Sequence, residues 1–317
     1  MSESLEASLT KIRPHTSSSL PHQKAPAALL HALETTFVEQ KTERVPTAYF
    51  AALLTTLDGT LQSARSSGPS LRDGDILPAE LYLLALVAPH VPPAVIRSNL
   101  NTIISLTAPL FPALVPYAPP LRSQLSFYET VFGVLDRSHL DAPGLRQSFE
   151  SILHLALDPR PKVRKRAAEL VNEVLSNPPP PSLRHPYAER VAAWLKSSLD
   201  EVMTGVPKFK GKKSDSDGLD SAIHLLTFLR PILADLPPSV SAQNVCEIFA
   251  RSNSDTLGSS LHYHISSLRS SSRQPLSFPV GIFNPKRTTR YTRRRSDEQC
   301  PRQTPRDFGC GTEVSSA

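Results

Sequence analysis

Cysteine is scarce in this chain: Cys246, Cys300 and Cys310 are the only three in 317 residues. They are too few for a disulfide framework and lack paired metal-ligand spacing, which suits a reducing compartment. Glycine is also thin, with 12 residues, and aromatic residues make up 6%. Hairpin-turn signals and strand formers are therefore sparse, while Leu and Ala recur in clusters, and the expected class is all-α. Uninterrupted apolar runs are missing as well. The two longest apolar stretches are broken by Pro78, Pro89, Pro92 and Pro93, and by Pro109, Pro112 and Pro116. A membrane-spanning helix needs about 20 continuous residues. The opening MSESLEASLTKIRPHTSSS has no apolar core of the kind a signal peptide carries. The expectation is a soluble, intracellular protein.

Catalytic signatures are absent too. The sequence holds no Gly-x-Ser-x-Gly elbow, paired zinc motif or dinucleotide loop, and the expectation is a non-enzyme with no cofactor and no metal. In GVPKFKGKKS five residues separate Gly205 from Gly211 where a phosphate loop has four, Lys213 occupies the Ser/Thr position and no strand precedes, so a phosphate loop is rejected. His262 and His264 flank Tyr263 with no Cys or acidic ligand nearby, which argues against a metal site. Trp194 falls in an apolar helical stripe, where packing is the default.

What the chain has in abundance is proline, 31 residues, mostly between apolar-periodic stretches, where Pro opens one helix or stops the one before. Leu145, Phe149, Ile152, Leu153 and Ala156 fall at offsets 0, 4, 7, 8 and 11, and Val163, Ala167, Leu170, Val171 and Val174 repeat them. Between the two stripes lies DPRP. Pro161 disfavours helical geometry at Arg160 and suits a first helical position, so the segment predicts a helical hairpin. Asp158 is placed to meet the unpaired amides at the start of the second helix. Similar stretches are expected at 3–20, 26–41, 46–64, 78–88, 93–107, 120–136, 186–203, 219–234 and 239–251. Pro78, Pro120 and Pro161 open helices 42 and 41 residues apart, close to the period of HEAT-type repeats. The fold predicted is a HEAT-like α-solenoid of helical hairpins over 1–265, followed by a basic, disordered tail over 266–317.

Charge sharpens that division. Residues 1–265 hold 25 Lys and Arg against 25 Asp and Glu, whereas 266–317 hold 10 against 4, so the tail carries the whole net charge of +6. Its densest run is Arg290, Arg293, Arg294 and Arg295 around Tyr291, of a kind that binds RNA non-specifically or acts as a nuclear signal. A second basic patch, Lys208, Lys210, Lys212 and Lys213, lies in a polar segment, 206–218, read as an exposed loop. It suits a nuclear-localisation or nucleic-acid patch, or simply a solvated loop. Ser214 and Ser216 beside it are candidates for phosphorylation.

The sharpest local signal is the run Arg160, Lys162, Arg164, Lys165 and Arg166, five cations within seven positions at a helix start, where the macrodipole disfavours them. On a helical wheel Lys162, Lys165 and Arg166 lie opposite the apolar stripe and are expected to point outward. With Arg160 they are the candidate contacts to RNA or an acidic partner, since phosphate attracts such clusters without sequence preference. The alternative is a solvated face partly neutralised by Glu169 and Glu173. Arg164 sits on the shoulder of the stripe. It is expected to reach an acidic group near the turn of a neighbouring repeat, which with Asp158, Pro161 and Val163 makes the structural set of the repeat.

The segment LALDPRPKVRKRAAELVNEVLSNPPPP has the Asp, Pro, Val-Arg and Ala placements of a HEAT motif. With TKIRPHTSSSLPHQK at 10–24, PTAYFAALLTTLD at 46–58, APHVPPAVIRSNLNTIISLTAPLF at 88–111 and APPLRSQLSFYE at 118–129, in that order, it resembles the ribosomal RNA-processing protein 12 family. The likeness covers roughly 5–250 and corresponds to the N-terminal portion of much longer family members. The resemblance implies a nuclear, mainly nucleolar scaffold of ribosome biogenesis. It would bind precursor ribosomal RNA and pre-ribosomal particles, and work with assembly and nuclear transport proteins, including the Ran pathway, in processing and subunit export. The other reading is an importin-like transport adaptor that holds peptide ligands in grooves between helices.

Overall fold

In the computed structural model, residues 4–65, 68, 70–203 and 216–237 are described, and all of them fall within one compact unit, Met1–Gln274. Twelve α-helices run through them: α1 Leu5–Ile12, α2 Pro21–Glu39, α3 Pro46–Ser63, α4 Ile76–Val87, α5 Pro93–Ser98, α6 Leu100–Thr107, α7 Phe111–Leu114, α8 Ala118–Gly133, α9 Pro143–Leu155, α10 Pro161–Ser176, α11 Ala188–Met203 and α12 Ser216–Ile232. No strand occurs among the described residues.

Proline decides where many of these helices start. α2, α3, α5, α9 and α10 each begin on a Pro, whose missing N–H removes one of the amides that a helix start leaves unpaired. Only α1 shows a side-chain cap among the described helix starts, the Ser4 hydroxyl accepting the Ala7 amide at 3.3 Å.

Several boundaries depart from the periodicity. The stretch 3–20 divides, because Pro14 tightens the chain into a 3₁₀ turn, Arg13–Ser17, after α1. α2 begins at Pro21 and carries Pro26 inside it, buried, so it starts five residues earlier than the apolar pattern indicates. The stretch 93–107 breaks at Asn99, which has φ −98° and ψ 8°. α7 is a single short turn that the pattern does not signal. Ser216, Asp217 and Gly218 form the first turn of α12, not part of a loop. The stretch 239–251, the tail 266–317 and the boundary between 265 and 266 lie outside the described residues.

The helices pack in two layers. α2, α4, α8, α10 and α12 lie side by side as a front layer; α3, α6 and α9 form the back layer, and α11 extends it. The hairpins α3–α4, α9–α10 and α11–α12 join front to back. Between α6 and α8 the link is a buried run of hydroxyls, Thr107 Oγ1 to Tyr128 Oη at 2.9 Å and Tyr128 Oη to Ser148 Oγ of α9 at 3.0 Å. Rings continue the core along the stack. Phe50 of α3 neighbours Phe127 of α8, Phe132 meets Phe149 of α9 edge-on at 5.5 Å, and Phe149 lies 4.6 Å from Tyr187, just before α11. Each repeat thus buries its apolar stripe against the next, which no single hairpin could do alone.

Two polar contacts set the register between repeats. Arg166 Nε of α10 donates to Ser126 Oγ of α8 at 3.1 Å, and Arg190 Nη1 of α11 donates to Glu150 Oε1 of α9 at 2.5 Å. Both join residues 40 apart in sequence. Positions about 40 residues apart therefore sit side by side on neighbouring helices of one layer.

Candidate acidic-ligand interface

The α9–α10 turn shows where the five clustered cations go. Asp158 is buried, and its Oδ1 accepts the Arg160 amide and Arg160 Nε, both at 2.8 Å, while Oδ2 accepts Arg160 Nη2 at 2.7 Å. Burial alone pushes the Asp158 carboxyl up; the bonds from the Arg160 guanidinium and amide outweigh it and hold the group below its ordinary value. Arg160 is raised in turn, chiefly by its hydrogen bond to Asp158. The local pattern places Asp158 at the amides inside the helix start. It binds the residue just ahead instead, because the Val163 and Arg164 amides already donate to Arg160 O.

Arg164 takes a different partner from the one its wheel position indicates. Its Nη1 donates to the carbonyls of Asp158 at 2.8 Å and Pro159 at 3.3 Å, in its own turn, not to an acid of the neighbouring repeat. Those carbonyls belong to the turn that follows the end of α9 at Leu155, the side of that helix on which a cation is favourable. Pro161 stands at the first position of α10, and Val163 is fully buried.

Arg166 does not point outward. It leans over α8, where its guanidinium pairs with Glu129 and its Nε reaches Ser126, leaving the side chain 27% exposed. A wheel reports direction relative to the helix's own stripe, and cannot show that a parallel neighbour flanks the helix on that side. Lys165 remains 78% exposed, with Glu169 3.8 Å away one turn on. Lys162 is exposed and has no hydrogen bond or ion pair among the described residues. Of the five cations, Arg160, Arg164 and Arg166 hold the repeat together, and Lys162 and Lys165 are offered to solvent. Lys208, Lys210, Lys212 and Lys213 lie outside the described residues.

The register adds a cation that the local charge pattern does not single out. Arg122 of α8 stands 40 residues before Lys162 and is half-buried; its Nε is enclosed without a hydrogen-bond partner. The spacing Tyr82, Arg122, Lys162 is visible in the sequence, but it takes the Arg166–Ser126 contact between α10 and α8, and the groove that Tyr82 and Arg122 both line, to show that it marks one face. Among the described residues no group of three or more His, Cys, Asp or Glu side chains is placed to hold a metal, and no helix is long and apolar enough to cross a membrane.

Helical hairpins stacked at a 40-residue register, with Asp, Pro and Arg fixing the turn, define an α-solenoid of the HEAT type. Comparison with known proteins narrows the class: the family model for RRP12-like, N-terminal HEAT repeats matches residues 9–251, and the chain belongs to that family. It is 28% identical over 261 residues to ribosomal RNA-processing protein 12 of Saccharomyces cerevisiae, covering 77% of this chain and 21% of that one. To the RRP12-like protein of Homo sapiens it is 24% identical over 243 residues, covering 75% of this chain and 17% of the relative. The chain thus spans about a fifth of the length of these relatives.

Proposed function

We propose that the chain is a non-catalytic scaffold of ribosome biogenesis that serves ribosomal RNA processing by binding precursor RNA within pre-ribosomal particles. Family membership supports the process, since the relatives matched are named for ribosomal RNA processing. The observation that carries the binding mode is the exposure of Lys162 and Lys165 at the start of α10, while the other cations of the cluster are committed to the fold. Phosphates would neutralise charge left free against the helix macrodipole, without demanding a base sequence. The secondary lysines Lys208, Lys210, Lys212 and Lys213 extend the proposal to a second phosphate contact. Assembly proteins and the Ran-dependent export machinery are the protein partners in this reading, and the nucleus, mainly the nucleolus, is its compartment.

The test is titration of the chain with a precursor ribosomal RNA fragment at several salt concentrations. Lys162→Glu with Lys165→Glu is expected to weaken binding and to flatten the slope of log K against log salt by about 1.4, the share of two phosphates on a single strand. Melting should stay within about 0.5 kcal/mol of the parent, as for surface changes away from packing. An unchanged salt slope would remove these lysines from the interface. Cosedimentation with precursor particles checks the process itself; an adaptor that carries peptides would not travel with them.

A further inference from the structure

A groove of about 710 Å³ opens across α2, α4 and α8 of the front layer, with α1, the 3₁₀ turn after it and the segment 71–75 completing its lining. Its floor is aliphatic, built from Pro26, Pro78, Ala79, Leu86 and Pro120, with Tyr82 41% exposed in the middle. That volume lies in the range of sites that enclose a ligand's side chains. The α8 wall carries Arg122 and Ser126, and Ser126 is the residue to which Arg166 of α10 donates. The groove therefore runs straight into the α8–α10 seam.

Under the 40-residue register, Tyr82, Arg122 and Lys162 occupy equivalent places on α4, α8 and α10, so the face changes along the stack from apolar to cationic. Arg122 and Lys162 have no ion pair among the described residues, and Lys165 beside them has only the exposed Glu169. The nearby Glu129 is occupied by Arg166. Asp75, which accepts from the Ser70 hydroxyl and the Arg72 amide, and Asp73 set two negative charges against Lys11 elsewhere in the lining, so the cationic end of the face is the α8–α10 side.

We propose that this face binds an extended acidic segment of a partner protein. Its apolar side chains would lie over Tyr82 and Leu86, and its carboxylates would meet Arg122, Lys162 and Lys165. From α2 to α10 the path crosses three helix spacings of about 10 Å, which about nine extended residues would span. RNA fits the groove less well: His15 and His22 line it beside Tyr82, but the prolines and aliphatic side chains of its floor neither pair with bases nor neutralise phosphates. The inference goes beyond the phosphate-binding reading and shares Lys162 and Lys165 with it, whereas Tyr82 belongs to the peptide site alone.

The experiment pans a random library of peptides about twelve residues long, enough to cover that span with a few residues to spare, on the full 317-residue chain. Fluorescein-labelled copies of the enriched peptides are then measured by anisotropy beside a polyuridine oligonucleotide. The enriched peptides should carry an acidic excess and at least one large apolar residue. Tyr82→Ser and Arg122→Glu should each weaken them about tenfold or more, as expected of groups at the centre of a contact. Tyr82→Ser should leave oligonucleotide affinity unchanged, with melting and helical content confirming an intact fold. Recovery of no peptide, recovery of peptides without acidic excess, or unchanged binding to Tyr82→Ser would each overturn the proposal. Loss of oligonucleotide binding on Tyr82→Ser would assign the groove to RNA and overturn it as well. The salt-slope test on Lys162 and Lys165 stands apart from all of these outcomes.

Discussion

Glu80 lies fully buried between α3 and α4, where the Thr60 hydroxyl donates to its Oε1 at 2.8 Å and its Oε2 has no hydrogen-bond partner. Burial pushes the carboxyl up to about 7, with the Thr60 and Thr56 hydroxyls opposing. The folded chain therefore keeps a proton that the unfolded chain releases near 4.5, so stability falls as pH rises from about 4.5 to 7 and stays lower above. Glu80→Gln is expected to abolish that decline and to stabilise the protein at pH 8 by at most about 3 kcal/mol, read from denaturant melts across pH. Glu34 shows the opposite balance. Burial raises it, but Arg13 and the Tyr49 hydroxyl, bonded to Oε1 at 2.8 and 2.9 Å, hold it low and tie the turn after α1 to α2 and α3. Two buried glutamates are thus shifted in opposite directions, decided by whether an arginine reaches them.

At the scale of the element, the α8–α10 pair is fixed by Arg166. Its bonds to Ser126 and Glu129 are partly buried, so Arg166→Ala is expected to cost about 1–2 kcal/mol, whereas Lys162→Ala should change stability by less than about 0.5 kcal/mol. Thermal melts of the two variants, with Glu129→Gln to complete a double-mutant cycle on Arg166, measure the difference. The opposite ordering would mean that Lys162, not Arg166, braces the repeat. The start of α10 shows the same economy: Arg160 answers Asp158, Arg164 answers the turn carbonyls, and Lys162 and Lys165 stay exposed, Lys165 with only the exposed Glu169 near it.

For the described unit as a whole, stability should behave as a chain of nearest neighbours. Phe149 is fully buried where α9 meets the α8 ring cluster and Tyr187. Phe149→Ala is expected to cost about 3–5 kcal/mol in total stability. The loss should be local first: hydrogen exchange should quicken in α9, α10 and α11 while the amides of α2 and α4 keep their protection. Uniform acceleration across all helices would show the unit to be fully cooperative instead.

The chain's own pattern determined the helical class, the hairpin at 145–176, the helix starts at Pro46, Pro93 and Pro161 and the cations at 160–166, because apolar period and proline chemistry are local properties that act through the backbone; Pro78 and Pro120 instead stand third in helices that begin at Ile76 and Ala118. Asn99, the short turn at α7 and Pro26 inside α2 escaped it, since each depends on what packs alongside. Only the tertiary structure decided which cations are free. Arg166 and Lys162 look alike on an isolated helix, and differ because one meets α8 and the other has no partner among the described residues. The groove over Tyr82 and Leu86 is a property of the stack for the same reason: its walls come from helices well separated in the chain, and distance along a sequence carries no record of which side chains a neighbouring helix will cover.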